Sequence, residues 1–332
     1  MNLRTTYLGF ELAHPLMVGA SPIVDHLDLV RRAEDAGAAA IVMHSLFEEQ
    51  LRAEDDVIHR LKSHYEANAE SATFLPNRME YVLGPDAYLE RLRLIKAAVR
   101  IPVIGSLNGV TDDGWLHYAK LIEEAGADAL ELNVYAVGHD PERNAEDVER
   151  ETVDMVRHVC RETRLPVAVK LSPFYTALVH FAARLEQAGA KGLVLFNRFY
   201  QPDIDPERLD LDHTLHLSQS SELLLRLRWL AVLSGRTRVS LAATGGVHRG
   251  VDALKAVMAG ANGVQMVSAL LKHGPEHLAT VRGELAQWLE EHEYDSLRQA
   301  QGSMNLARCP DPAQWGRANY VHMLQSYSKT MA

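Results

Sequence analysis

Cysteine is scarce in this chain of 332 residues: Cys160 and Cys309 are the only two, and they lie far apart. They match no metal-ligand spacing and fit a reducing compartment better than an exported disulfide scaffold. No uninterrupted apolar run is long enough to span a bilayer. The opening stretch, MNLRTTYLGFELAHPLMVGA, lacks the basic region, apolar core and cleavage site of a signal peptide. Positive charge is short as well, with 34 Lys plus Arg against 44 Asp plus Glu and a formal net charge of −10. That balance argues against a basic nucleic-acid surface. With 21 glycines, 13 prolines and 23% charged residues, disordered and collagen-like classes are excluded. What is present is a hydrophobic fraction of 47%, ample for a large core. The expectation is a soluble, cytoplasmic globular protein without a membrane or nucleic-acid partner.

The chain punctuates itself with a repeated tripeptide. Ala-Gly-Ala closes segments at 36–38, 125–127, 188–190 and 259–261, each after a helical pattern and before a short apolar run. Glycine caps a helix in the left-handed conformation, and its small neighbours let a strand begin close by. Further apolar runs start beside proline at 15–20, 102–107 and 166–171, and another spans 238–244. Together they give eight expected strands, at 15–20, 39–44, 102–107, 128–133, 166–171, 191–197, 238–243 and 262–267. Helices are expected near 25–36, 85–99, 111–125, 144–163, 174–188, 219–234, 249–259 and 275–290. Continuously apolar strands alternating with helices indicate a parallel sheet covered on both faces, and eight units favour a closed (β/α)8 TIM barrel. The alternative is an open doubly wound sheet, but no GxGxxG follows an early strand. Residues 1–290 are read as one barrel with long strand-end insertions at 45–84 and 198–218. Residues 291–332 form a C-terminal extension expected to pack on the barrel or on a partner subunit.

Barrel enzymes collect their chemistry where strands end. The polar candidates there are Ser21, His44, Ser45, Ser106, Asn108, Glu131, Asn133, Lys170, Asn197, Arg198, Thr244 and Ser268. Glu131 shares a strand face with Asn133 and could brace Lys170. A lysine on a late strand also suits Schiff-base chemistry, which keeps a Lys170-dependent aldolase or lyase open. TGGVHRG at 244–250 and SALLKHG at 268–274 follow the last two expected strands. Paired turns of this kind supply backbone amides for a phosphate group, although each alone is ordinary turn chemistry.

Seven stretches, in order, resemble the flavin-dependent dihydroorotate dehydrogenase family. They are MVGAS at 17–21, SLNG at 106–109, ELN at 131–133, VKLSPF at 169–174, FNRFYQPDID at 196–205, TGG at 244–246 and SALLKHG at 268–274. The resemblance implies non-covalent FMN and hydride transfer to its N5 from a small cyclic or carboxylated substrate, with dihydroorotate the leading candidate. It places Ala20, Ser21, Ser106, Asn133, Lys170, Gly245, Gly246 and Ser268 on the cofactor, with Lys170 stabilising the electron-rich reduced ring. Asn108, Asn133, Asn197 and Arg198 would meet the substrate, Arg198 as a bidentate partner for a carboxylate or else as an ion pair of its own loop. No metal is implied. A separate electron acceptor or redox partner is needed, pyrimidine biosynthesis is the implied setting, and a homodimer is the default assembly.

The chain departs from that family at the proton-transfer position. The family's Cys or Ser base, three residues beyond the matched Asn133, is replaced by Ala136, and a substrate-binding asparagine by Gly138. His44 stands where the family has a lysine. Dihydroorotate oxidation removes a C5 proton as well as a C6 hydride, so another base is required. Tyr135, His44 and His139 are the candidates, the histidines having the more suitable ordinary titration range. The readings that stay open are an FMN oxidoreductase with a changed substrate and a flavin-binding protein without dihydroorotate activity.

Overall fold

Apolar residues fill both faces of the central strands, and such a strand has to be buried on both sides. The computed structural model describes residues 1–47, 85–108, 112–134, 140–197, 203–212, 214–316 and 319–328. The first half runs β1 (Thr5–Tyr7), β2 (Phe10–Leu12), β3 (Leu16–Val18), α1 (Leu27–Asp35), β4 (Ile41–Val42), β5 (Leu46–Phe47), α2 (Pro85–Ala98), β6 (Val103–Asn108), α3 (Asp112–Glu124), β7 (Ala129–Asn133) and α4 (Ala145–Glu162). The second half runs β8 (Val167–Leu171), α5 (Leu178–Ala188), β9 (Gly192–Leu195), β10 (Asp203–Asp205), β11 (Asp210–Asp212), α6 (Leu223–Leu233), β12 (Ser240–Thr244), α7 (Gly250–Ala259), β13 (Gly263–Met266), α8 (Ser268–His273), α9 (His277–Glu291), α10 (Leu297–Ala300) and α11 (Asn319–Ser328).

Strands β3, β4, β6, β7, β8, β9, β12 and β13 are parallel and close into one ring. Its seam joins β13 to β3 through Val264↔Leu16, and β4 to β6 through Ile41↔Val103. The expected (β/α)8 barrel is therefore the observed fold. Outward-facing Leu16, Ile41, Val103, Leu130, Val169, Leu193 and Val264 join the apolar faces of the surrounding helices in the main core. Inward-facing Met17, Val42, Ile104, Ala129, Ala168, Val194 and Ala242 fill the bore.

Beyond short elements in the 203–212 loop, after β13 and in the C-terminal extension, three details differ from the sequence expectation. The hairpin β1–β2 was not anticipated: its turn uses Leu8 and Gly9 at φ 51° and 88°, the mirror-image turn a tight hairpin needs. Leucine rarely adopts that conformation, so the turn carries no Asn-Gly signature. The second strand is not continuous over 39–44. It pauses after Val42 and resumes as β5, which pairs higher on β6 through Leu46↔Leu107. Helix α5 begins at Leu178 rather than 174, because Ser172 Oγ accepts the Phe174 N–H and Tyr175 stacks on Phe181 at 4.2 Å.

The unanticipated hairpin seals the N-terminal end of the barrel. Leu8 N–H donates to Ser240 Oγ at 3.0 Å, and Thr5 Oγ1 donates to the Asn262 carbonyl at 2.9 Å. Gly192 opens β9 directly beneath it, where a Cβ would lie 2.5 Å from Leu8 Cδ2. Tyr7, Leu8 and Leu12 then pack into the bore. Past α9, Leu297 and Ala300 pack with Leu3, Leu254, Val257, Leu285 and Leu289, and Leu306 N–H donates to the Ala231 carbonyl. Helix α11 exposes Tyr320, Val321, Met323 and Leu324. Among the described residues, no helix is long and apolar enough to cross a membrane.

Two stability predictions follow from groups near this floor. His14 accepts the Leu16 N–H at Nδ1, and burial lowers its pKa to about 4; the Arg282 charge adds to the lowering and a Gly37 backbone hydrogen bond opposes it. As pH falls below the ordinary ~6.5, the unfolded chain takes up this proton first, so His14 costs stability progressively until its folded value is passed. A loss of at most about 3 kcal/mol is expected from this group; urea unfolding across that window should show a shallower slope for His14→Gln, and an identical slope would refute the assignment. The Tyr7 phenol is buried, finds no hydrogen-bond partner among the described residues, and is pushed well above its ordinary pKa by burial and by the Glu131 charge. Tyr7→Phe removes that desolvated hydroxyl and should raise unfolding stability by about 1 kcal/mol; a loss of stability would show that the hydroxyl has a partner.

Candidate active site

Alternation along each strand turns every second residue inward, and at the C-terminal end of the bore these residues become polar. β7 turns Glu131 and Asn133 inward, β8 turns Lys170 and β13 turns Gln265, with Asn133↔Lys170 and Ser106↔Glu131 in register. Lys170 Nζ donates to Glu131 Oε1 at 3.2 Å, and Gln265 Nε2 donates to Glu131 Oε2 at 2.6 Å. Both carboxylate oxygens are thus engaged. The Glu131 and Lys170 side chains are 1% and 8% exposed, a depth at which either charge alone would be strongly destabilising.

A second cluster lies beside it. Ser45 Oγ and Ser106 Oγ share a hydrogen bond of 2.8 Å, and Asn133 Nδ2 donates to Ser45 Oγ at 3.4 Å. Tyr88 OH accepts the Ser106 N–H at 2.9 Å; burial drives this phenol well above its ordinary pKa. His44 sits where the second strand pauses, edge-on to Tyr88 at 5.4 Å. Its Nε2 is 3.2 Å from Asp25 Oδ1 and its Nδ1 is 3.4 Å from the Ser45 carbonyl. Both ring nitrogens face oxygens, so as placed neither directs a free lone pair at a substrate.

Three buried oxygens in this region have no partner among the described residues: Ser21 Oγ, Asn133 Oδ1 and Gln265 Oε1. Buried acceptors left unpaired are costly. Ala20, Asn108 and Asn197 are partly exposed at strand ends; Asn197 is anchored by its N–H on the Leu171 carbonyl at 2.8 Å. Tyr135, His139 and Arg198, with Ala136 and Gly138, lie outside the described residues.

The glycine turn follows β12, whose Thr244 pairs with Gln265. Gly245 and Gly246 take φ of 89° and 80°, and a Cβ on Gly246 would lie 2.5 Å from Leu223 N. Arg226 Nε donates to the Thr244 carbonyl at 2.8 Å and fixes the turn from behind. Ser218 bridges both glycine-side elements: its N–H donates to Ser268 Oγ at 3.0 Å, and its Oγ accepts the Gly246 N–H at 3.2 Å. His248 Nε2 stands 3.5 Å from Ser218 Oγ. Sequence reading missed Gln265, Tyr88 and Ser218. Gln265 was recoverable, as a polar residue at the inward position of GVQMV, whereas Ser218 sits in an unremarkable polar loop. Among the described residues, no group of three or more His, Cys, Asp or Glu is placed to hold a metal ion.

Comparison with known proteins identifies relatives of this chain. Residues 75–289 match the sequence profile of a family described as dihydroorotate dehydrogenase. The chain is 26% identical over 313 residues to the dihydroorotate dehydrogenase B (NAD(+)) catalytic subunit of Thermoplasma volcanium, covering 91% of this chain and 98% of that one. The corresponding subunit of Pyrococcus abyssi is 28% identical over 310 residues, covering 90% and 98%. The chloroplastic dihydropyrimidine dehydrogenase (NADP(+)) of Arabidopsis thaliana is 21% identical over 325 residues, covering 91% and 76%.

The turn geometry predicts one stability effect. Gly246→Ala combines a left-handed backbone with a clash against backbone rather than a flexible side chain, and should cost about 1–3 kcal/mol in denaturant unfolding. An unchanged midpoint would mean that the turn can relax.

Proposed function

Because the chain belongs to the dihydroorotate dehydrogenase family and is an oxidoreductase of that type, we propose that it binds FMN at the C-terminal mouth of the barrel and oxidises a small cyclic or carboxylated substrate. Dihydroorotate is the leading candidate. The observation that carries the reading is the pair of unpaired buried oxygens on Asn133, in register with Lys170, and on Gln265, whose amide holds Glu131 and whose strand neighbour Thr244 leads into the glycine turn. A planar ring bearing amide-like N–H groups would satisfy such acceptors, and a phosphate tail suits the glycine turn. When bound, FMN supplies a two-electron acceptor that takes hydride at N5.

The roles of this chain's residues follow from their placement. Ala20, Ser21, Ser106, Asn133 and Lys170 would hold the ring, with Lys170 countering the negative charge that reduction brings. Gly245, Gly246 and Ser268 would hold the phosphate, whose oxygen would take the Gly246 N–H from Ser218 Oγ. Asn108, Asn133, Asn197 and Arg198 would hold the substrate, Arg198 through a carboxylate. His44, Tyr135 and His139 are the candidates for moving the C5 proton. Of these, His44 would have to leave its contacts with Asp25 or Ser45 to accept one. Lys170 Nζ is engaged by Glu131 instead of free to attack a carbonyl, which weighs against a Schiff-base aldolase or lyase.

Ala136 at the family's base position favours a second reading, in which the same flavin chemistry serves a different substrate. In either case a separate electron acceptor or redox partner reoxidises the flavin. The relatives' names include NAD(+)- and NADP(+)-linked enzymes, and two of them are catalytic subunits.

Anaerobic titration of the FMN-loaded protein with dihydroorotate and related cyclic reductants tests the proposal. Bleaching of the flavin by one of them is the expected outcome, and a purified protein that neither carries nor takes up FMN would overturn it. Lys170→Ala should slow flavin reduction by about 100-fold, the scale of losing one charge-stabilising donor. A wild-type reduction rate in that variant would remove Lys170 from the site.

A further inference from the structure

Lys170 does not face the mouth of the barrel as an isolated cation. Its nearest recorded partner is a carboxylate, Glu131 Oε1 at 3.2 Å, and that carboxylate is itself held through Oε2 by Gln265 at 2.6 Å. Glu131 is 1% exposed, so bulk water does little to screen it. Its two acceptor oxygens are spent on one charged and one neutral donor from different strands, β8 and β13. The carboxylate is therefore fixed in place and cannot swing away when the demand on Lys170 changes. Gln265 is fixed in turn by its strand, whose neighbour Thr244 leads directly into the glycine turn.

We propose that Glu131, oriented by Gln265, is a positioning residue that sets how much of the Lys170 charge reaches a bound flavin, and so sets the flavin's reduction potential. The inference rests on the FMN reading of this site. Electrostatics gives it a sign. A carboxylate beside the ammonium lowers the positive potential at the ring and disfavours the extra negative charge of the reduced form. The Gln265 amide, donating to that carboxylate, withdraws part of its negative charge and offsets the effect. Glu131 and Gln265 should therefore act in opposite directions, although they touch each other and neither is required to touch the flavin.

Two near-isosteric variants separate this role from a structural one. Glu131→Gln removes the negative charge and should raise the preference for reduced over oxidised flavin by about tenfold, equal to about 30 mV in a two-electron couple. The measurement is spectroelectrochemical or dye-equilibration titration of the bound flavin, with all proteins in the same buffer. Gln265→Met keeps the charge but removes its amide donor, and should shift the potential downward. Thermal unfolding of the flavin-free proteins controls for folding, and Gln265→Met carries the test alone if Glu131→Gln does not fold. Opposite shifts support the proposal. Unchanged potentials, or shifts of the same sign in both variants, overturn it while leaving the FMN reading intact. A wild-type protein that binds no FMN overturns the reading of the site itself.

Discussion

A closed ring of parallel strands turns half of its side chains into its own bore, and that enclosed space has to be filled or made useful. In this protein the two ends of the bore meet the demand in opposite ways. At the N-terminal end the filling is apolar and local, with Tyr7, Leu8 and Leu12 inserted from a hairpin beneath Met17, Ala129 and Ala168. At the C-terminal end the inward positions hold Glu131, Asn133, Lys170, Gln265 and Ser106, which no oily plug could accompany. Charge buried there must be compensated by charge, which Lys170 and Glu131 supply across the adjacent strands β8 and β7, with the distant β13 adding the neutral Gln265 amide. The ring brings β7, β8 and β13 close enough to do so.

Much of this was legible in the sequence because the barrel repeats one local solution. Ala-Gly-Ala after four of the helical patterns and proline before several apolar runs marked where strands begin. The polar interruptions at their ends marked where chemistry collects. Lys170, Asn133, Ser21 and Ser106 were visible for that reason. The shared strand face of Glu131 and Asn133 left Glu131 three roles, bracing Lys170, meeting a flavin hydroxyl or satisfying an internal charge network, and in the structure it is bonded to Lys170. What escaped was information carried by pairing over long separations. Nothing local about the turn at Leu8–Gly9 announces a hairpin, since a leucine at positive φ is tolerated only because Ser240 and Gly192 receive it. Gln265 looks like one polar residue in an apolar strand until the ring places it against Glu131. Ser218 reads as loop until it is found on both Gly246 and Ser268.

The second strand shows how a small irregularity can matter more than a regular element. A continuous strand from 39 to 44 would send alternate side chains inward and outward without exception. The pause after Val42 sets His44 against Tyr88 and Asp25, and turns the Ser45 hydroxyl toward Ser106 and Asn133. The serine cluster borders the lysine–glutamate pair through strand register, Asn133 opposite Lys170 and Ser106 opposite Glu131, and Asn133 donates to Ser45 with its amide nitrogen.

The seam of the ring also bears on how the chain comes to be folded. β3, the first barrel strand made, has β13, the last, as one of its two neighbours. The hairpin that closes the floor leans on Ser240 and Asn262, which belong to the same late stretch. During synthesis the earliest segment must wait, with one edge unpaired and its apolar plug uncovered, until most of the protein has left the ribosome. Closing so long a loop is slow. The Gln265–Glu131 contact joins β13 to β7, so this part of the site needs the last barrel strand, whereas Lys170 meets Glu131 across the adjacent strands β8 and β7.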